Sequence, residues 1–331
     1  MDRMLYGPAG YYSSGAAKSG KTGDYFTAPD VGPVFGRLLA EIFQGWREKL
    51  ASEDFKIIEV GAGEGRLAGD ILKSQPFPYL AVERSPVRQD VLKTLMKNFP
   101  TLEVGADLQS GQPTDGILFG NELIDAFPVH RVAMKKGRLR ELFLEESGAS
   151  PRFHWRDPST SKLQAYFEKL KISLPEDYET EVNLAMSDWL ISAASVLKKG
   201  LILLIDYGRP AHEYYAPERT RGTLRAFSKH KVSADFIDPG RLVDLTADVD
   251  FTSLALDAKN AGLTPLAFME MGTFLLQGLE RIKNPETLSR GGLKYLIHPE
   301  GMGSAFHVLM LGKGIDSAEW TFARNRLKRL W

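Results

Sequence analysis

Three glycines stand at alternate positions in "EVGAGEGRLAGDIL" (59–72): Gly61, Gly63 and Gly65. They follow the apolar run KIIEV and precede a helical pattern, so they mark a turn where backbone can approach a ligand closely. What the turn lacks narrows the ligand. A dinucleotide turn reads G-x-G-x-x-G, and Arg66 occupies the place of the third glycine. No Lys-Ser/Thr follows, which excludes a P-loop. The pattern suits S-adenosylmethionine, which carries no pyrophosphate but has a zwitterionic methionine tail, a sulfonium and a ribose. Glu59, two residues before the first glycine, is placed to accept from the ammonium, directly or through water. Glu83 ends the next strand in "YLAVERSP" and is placed to accept both ribose hydroxyls. Asp107, after the third strand, is placed to read the adenine amino group, with Leu108 beside the ring.

A second constellation lies in "GILFGNELIDAFPVHRV", where Asn121 and Glu122 follow the fourth strand, beside the expected methyl group. No proline pair and no adjacent ring is present to hold a neutral planar nitrogen, and a carboxylate fits a cationic target better. Arginine keeps its proton at neutral pH. Methylating it needs a guanidinium held in line with the sulfonium more than it needs a strong base. Glu122 is the candidate to pair with that guanidinium, and Asp125 is the second candidate. The plainer alternative is that Asn121 caps a turn and Glu122 is solvated. Upstream, "KTGDYFTAPDVGPVFG" puts Gly23-Asp24 in a turn, followed by Phe26 and Thr27. This segment is expected to fold over the cofactor, with Asp24 near the amino group and Phe26 or Tyr25 near the sulfonium. Its alternative is a strap that packs its aromatics on the core.

These residues need a scaffold that delivers strand ends to one edge. Strands are expected at 56–60, 79–82, 102–104, 116–120, 200–206, 265–270 and 305–311, with helices between them. The alternation predicts an α/β fold: a Rossmann-like, doubly wound, mostly parallel seven-stranded sheet. The chain divides into an N-terminal strap and helix over the site (1–50), a first half of the core (51–128), an insertion (129–199) and a second half (200–331). The insertion opens on a hairpin turning at Lys136-Gly137 and ends in helices at 161–171 and 181–198. A second insertion, at about 209–248, reads as irregular. Within it Asp244 and Asp248 read as turn and helix-start residues. Inserts at the ends of parallel strands are where specificity sits.

Composition removes other classes. Lys and Arg balance Asp and Glu in a chain of 331 residues, which argues against a nucleic-acid partner. There is no cysteine, hence no disulfide, thiolate metal site or cysteine nucleophile, and six scattered histidines show no zinc spacing, so no metal is expected. Apolar runs are too short to span a bilayer and the first residues carry no signal or transit pattern, so a bacterial cytoplasmic protein without membrane insertion is expected.

The motifs "GYYSSGA" (10–16), "GDYFTAPDVGPVFG" (23–36), "EVGAGEGRLAGDIL" (59–72), "NELIDAFPVHRV" (121–132), "LLIDYG" (203–208), "RGTLRAFSKHK" (221–231), "DLTADVDF" (244–251) and "MGSAFHVLMLGKG" (302–314) span nearly the whole chain. Together they resemble the MidA-like methyltransferases, the family that includes the mitochondrial complex I assembly arginine methyltransferase and bacterial relatives. The resemblance implies a class I methyltransferase fold with family-specific inserts, and, for the mitochondrial members, methylation of an arginine on a complex I subunit. Arg225 and His230, in the second insert, are candidates for the substrate pocket, and the resemblance adds weight to His230. The leading expectation is an S-adenosylmethionine-dependent methyltransferase acting on arginine of a protein substrate. The alternatives are a cofactor-binding assembly factor with little turnover and a small-molecule methyltransferase.

Overall fold

The computed structural model describes residues 1–15, 20, 23, 26–145, 152–228, 231–233 and 243–331. In chain order the elements are α1 (Asp2–Tyr6), α2 (Val34–Leu50), β1 (Phe55–Val60), α3 (Arg66–Ser74), β2 (Tyr79–Val82), α4 (Pro86–Leu95), β3 (Leu102–Gly105) and β4 (Thr114–Asn121). The first insertion contributes β5 (His130–Lys135), β6 (Arg138–Glu145), β7 (Arg152–Arg156), α5 (Lys162–Leu170) and β8 (Glu179–Val182). The core resumes with α6 (Ala185–Ser195) and β9 (Leu197–Arg209). The second insertion holds α7 (Ala211–Tyr214), β10 (Arg225–Ser228), β11 (Lys231–Ser233) and β12 (Asp244–Thr246). The chain then forms β13 (Val249–Asp250), α8 (Phe251–Asn260), β14 (Thr264–Glu270), α9 (Met271–Arg281), α10 (Arg290–Ile297) and β15 (Phe306–Lys313).

Seven strands lie in the order β3-β2-β1-β4-β9-β15-β14, with β13 added along the end of β9. Only β15 runs against its neighbours among these seven. The sheet is the expected doubly wound one because its central strands bury both faces. Along β9, Leu201, Leu203 and Ile205 enter the apolar cluster shared with α2, α3 and α9, while Ile202 and Leu204 enter the one shared with α6 and α8. Strand order reverses direction at β1, whose neighbours are β2 and β4. A crevice opens outside the carboxyl ends of the strands at such a point.

The expected hairpin forms. Lys136 and Gly137 both take positive φ (53° and 68°), the conformation of a two-residue turn matched to strand twist. It belongs to a four-stranded sheet, β7-β6-β5-β8. Three expectations are corrected. The helix foreseen over 181–198 is shorter: Glu179–Val182 pairs with β5 as a strand, and Asn183 then accepts from Met186 N to start α6. Pairing across the sheet overrides the local helical pattern there. The second insertion is less irregular than its sequence suggests, for β10 carries β11 and β12 on its two sides. Strands of three or four residues are too short to show a period. The helix start after it is Asp250, whose carboxylate accepts from Thr252 N and Ser253 N, and not Asp248.

Candidate functional site

A cavity of about 1360 Å³ lies along the carboxyl ends of β1 to β4 and of β9. At its floor the glycine turn is tied to β2, since Gly61 N and Ala62 N both donate to Val82 O (2.9 and 3.2 Å). Gly61, Gly63 and Gly65 have φ of 74°, 58° and 79°, which glycine adopts without strain. A Cβ on Gly63 would meet nothing within 4 Å, so that face is open to the cavity. Gly65 serves differently. A Cβ there would strike Leu92 and Leu95 at 2.5 and 2.6 Å, so this glycine seats the turn on α4 and does not line the cavity. Arg66, in the place of the missing third glycine, pairs with Asp30.

The acids expected at successive strand ends all line this cavity. Glu83 is buried and accepts from Gly63 N through Oε2 and from Ser85 N through Oε1, both at 2.8 Å. It therefore ties the second strand end to the glycine turn. Asp107 is exposed and caps a short turn with Ser110, and Leu108 beside it is buried. Glu59 is buried and accepts from Tyr79 Oη at 2.8 Å. Burial pushes its pKa from 4.5 up to about 8, against the pull of the Tyr79 hydrogen bond. The folded state thus holds this proton longer than the unfolded chain does. Stability should fall as pH climbs from about 4.5 to about 8 through this group. Thermal melts of wild type and Glu59→Gln across that range check it: the variant should lose part of the decline.

The turn after β4 brings Asn121, Glu122 and Asp125 to the same cavity. Glu122 has φ of 51°, a left-handed conformation rare for a side-chain-bearing residue. Its Oε1 accepts from Asn121 Nδ2 (3.1 Å) and lies 3.4 Å from Ala28 N. It is half-buried and faces the cavity, and burial followed by the nearby Asp125 raises its pKa to about 8. Asp125 is buried, with Oδ2 accepting from Tyr207 Oη, and burial raises its pKa to about 6. Asn121 Oδ1 and Asp125 Oδ1 are buried with no hydrogen-bond partner. Upstream, Phe26 and Thr27 line the cavity, Phe26 edge-on to Tyr295 and Thr27 bonded to Asp30 at 2.8 Å. Gly23 is buried, bonded to Gly20 O, and is not among the lining residues. Asp24, Tyr25 and His230 lie outside the described residues. Arg225 lines the cavity but is engaged: it pairs with Asp248 and lies over the ring of Tyr207, 5.4 Å from its centroid.

Several lining residues were not among the expected site residues. Tyr6 and Tyr12 stack with ring centroids 5.5 Å apart. Tyr6 Oη donates to Ala126 O (3.0 Å) and Tyr12 Oη to Asp244 Oδ1 (2.6 Å). Arg84 and Arg88 lie over their rings, 4.8 and 5.2 Å from the centroids. Leu5 and Tyr11 pack beneath, against Ala226 and Leu245 of the second insertion. The first twelve residues thus span the cavity from the start of α4 to β12. Asp244, read as a turn residue, is a buried strand residue at this anchor. Among the described residues no cluster of acids and histidines is arranged to hold a metal ion, and no helix is long and apolar enough to cross a membrane.

Comparison with known proteins agrees with the fold. The sequence model of the Methyltransf_28 family, S-adenosyl-L-methionine-dependent methyltransferases, matches residues 34–269. The chain belongs to the MidA-like methyltransferase family. A COG1565 superfamily member from Burkholderia thailandensis, solved bound to S-adenosyl-homocysteine, shares 29% identity with this methyltransferase. The two superpose with a TM-score of 0.84 over 98% of this chain and 89% of that one. Among curated proteins, the mitochondrial protein arginine methyltransferase NDUFAF7 homolog of Drosophila melanogaster is 27% identical, over 96% of this chain and 81% of its own length. Human NDUFAF7, a mitochondrial protein arginine methyltransferase, is 25% identical over 94% and 78%.

Proposed function

We propose that this methyltransferase transfers the methyl group of S-adenosylmethionine to the guanidinium of an arginine in a protein. The observation that carries this reading is the pair of unpartnered acceptors beyond β4. Asn121 Oδ1 and Asp125 Oδ1 are buried without partners, and the Glu122 carboxyl stands between them in sequence. Such a pair asks for a donor-rich cation, and guanidinium has five N–H donors and always carries its charge. The names of the relatives from fly and man support arginine in a protein as its source.

The cofactor fits the other half of the cavity. The open face at Gly63 has room for the methionine tail, and Glu83 keeps lone pairs for the ribose hydroxyls beyond its two backbone partners. Asp107 and Leu108 are proposed at the adenine, Glu59 at the ammonium, and Phe26 with Thr27 at the roof. When bound, S-adenosylmethionine supplies an electrophilic methyl on a sulfonium. A C–N bond forms as the C–S bond breaks, sulfur keeps the electron pair, and the acceptor nitrogen sheds one proton. Glu122 pairs with the guanidinium and localises its charge, Asp125 and Asn121 orient its N–H groups, and the two carboxylates are the bases that can take the proton. Arg225 is itself a cation and is paired with Asp248, so its proposed part is to shape the acceptor end.

Incubation with methyl-labelled S-adenosylmethionine and a lysate of the host, followed by acid hydrolysis, is expected to give labelled methylarginine from a protein. Label confined to a small molecule or to lysine would overturn the acceptor. Glu83→Ala is expected to weaken S-adenosylhomocysteine binding by about 1–3 kcal/mol, the range for leaving hydrogen-bonding groups unpaired. Titration calorimetry measures it, and an unchanged affinity in a folded variant would take Glu83 away from the ribose.

A further inference from the structure

The loop that presents Glu122 and Asp125 is held from a neighbouring strand. Asp206, near the end of β9, is 1% exposed. One of its oxygens, Oδ2, accepts from three successive amides: Leu123 N (3.2 Å), Ile124 N (2.9 Å) and Asp125 N (3.3 Å). Its other oxygen accepts from Tyr207 N at 2.9 Å. Three consecutive N–H groups reach one oxygen only where the chain curls around it. The curl begins at Glu122, whose own N–H donates to Ile205 O (2.8 Å) and whose φ is 51°. A glutamate holds such a conformation only when its surroundings over-determine it. The next residue of β9 acts on the side chain: Tyr207 Oη donates to Asp125 Oδ2.

We infer that Asp206 and Tyr207 are the positioning residues of methyl transfer, Asp206 curling the backbone so that Glu122 faces the acceptor and Tyr207 fixing the carboxyl of Asp125. The inference rests on the proposed roles of Glu122 and Asp125. It goes beyond them by placing the control of their geometry on β9, at two residues that need not touch the guanidinium. Both oxygens of Asp206 are in use, because a carboxyl group can accept from all four amides at once; burial, Asp125 and Glu122 push its pKa up, and the loop amides act against that shift. An asparagine has one oxygen for them, and its NH2 group faces either Tyr207 N or the three loop amides.

The test compares wild type with Asp206→Asn and Tyr207→Phe. Crystal structures with S-adenosylhomocysteine are expected to show residues 121–126 of Asp206→Asn rearranged, with Glu122 out of the left-handed region and its Asn121 and Ala28 contacts broken. Calorimetry is expected to find S-adenosylhomocysteine bound within threefold of wild type. With the acceptor labelled in lysate, kcat should fall at least tenfold while KM for S-adenosylmethionine stays. Tyr207→Phe removes one hydroxyl and keeps the ring. It withdraws a hydrogen bond that favours ionised Asp125, so the acid limb of the rate profile should move to higher pH. A folded Asp206→Asn whose residues 121–126 stay in place, or whose kcat is that of wild type, overturns the role of Asp206. An unmoved acid limb in Tyr207→Phe overturns that of Tyr207. A wild-type protein that labels no arginine counts against the acceptor reading alone, and the position of residues 121–126 in the two variants still decides the clamp. If Asp206→Asn does not fold, the structure of Tyr207→Phe with S-adenosylhomocysteine decides: Asp125 must leave its place.

Discussion

Gly63→Val should lose S-adenosylhomocysteine binding by a factor of a hundred or more, roughly 2.7 kcal/mol and upward. Two effects combine, the first by letting the free turn relax out of the shape that binding must restore. Position 63 has φ of 58°, where a β-branched side chain is strained by about 1–3 kcal/mol. The new methyl groups would also project into the open face of the turn, the space proposed for the methionine tail. Gly63→Ala separates the two, since it carries most of the backbone strain with a smaller intrusion and should bind more tightly than the valine variant. Calorimetry with S-adenosylhomocysteine on folded protein is the measurement. Normal binding by Gly63→Val would place the tail elsewhere, and the link from Gly63 N to Glu83 (2.8 Å) would then be structural only.

Glu122→Gln should leave cofactor affinity nearly intact and slow methyl transfer at least tenfold, about 1.4 kcal/mol in the barrier. Glutamine keeps the size and loses the charge, so the change reports electrostatics and not packing. The pH dependence gives a second signature. The Glu122 pKa of about 8 lies above the ordinary 4.5, so the free site holds the proton at neutral pH. Pairing with a guanidinium needs the ionised form, so kcat/KM should rise with pH up to about 8. A bound cation favours the carboxylate, so the limb in kcat should lie at lower pH. The variant should lose the upper limb and keep the lower one, from the Asp125–Asp206 pair, whose carboxyls burial raises above the ordinary range. Single-turnover rates at saturating cofactor, from pH 5 to 9, distinguish these outcomes. Equal rates for wild type and variant would remove Glu122 from the mechanism.

The core of the fold was legible because the central strands are short, mostly apolar segments, continuous in Leu201–Ile205 of β9, and a helix follows most of them at a turn. Glu83 illustrates the same for the site. Its distance from the glycine turn puts it at the end of the adjacent strand, and in the structure it bonds to that turn. Residues defined by local chain order are readable in this way. Those defined by long-range pairing are not. Asp206 looks like any polar residue ending a buried strand, and nothing local announces that three amides some eighty residues earlier in the chain converge on it. Tyr6 and Tyr12 sit in a segment with no period, and their place above the cavity depends on Arg84, Arg88 and the short strand holding Asp244. The helix foreseen over 181–198 starts later, at Ala185, for the same reason, since Glu179–Val182 has a partner strand that its own pattern does not reveal.

The span of residues 1–12 over the cavity has a practical consequence. The rings of Tyr6 and Tyr12 are clamped between arginines of the cofactor half and oxygens of the acceptor half, so whatever fills the space beneath them adds to their hold. Occupancy should therefore be written in the protease sensitivity of the first dozen residues: cleavage after Arg3 slows when S-adenosylhomocysteine is present.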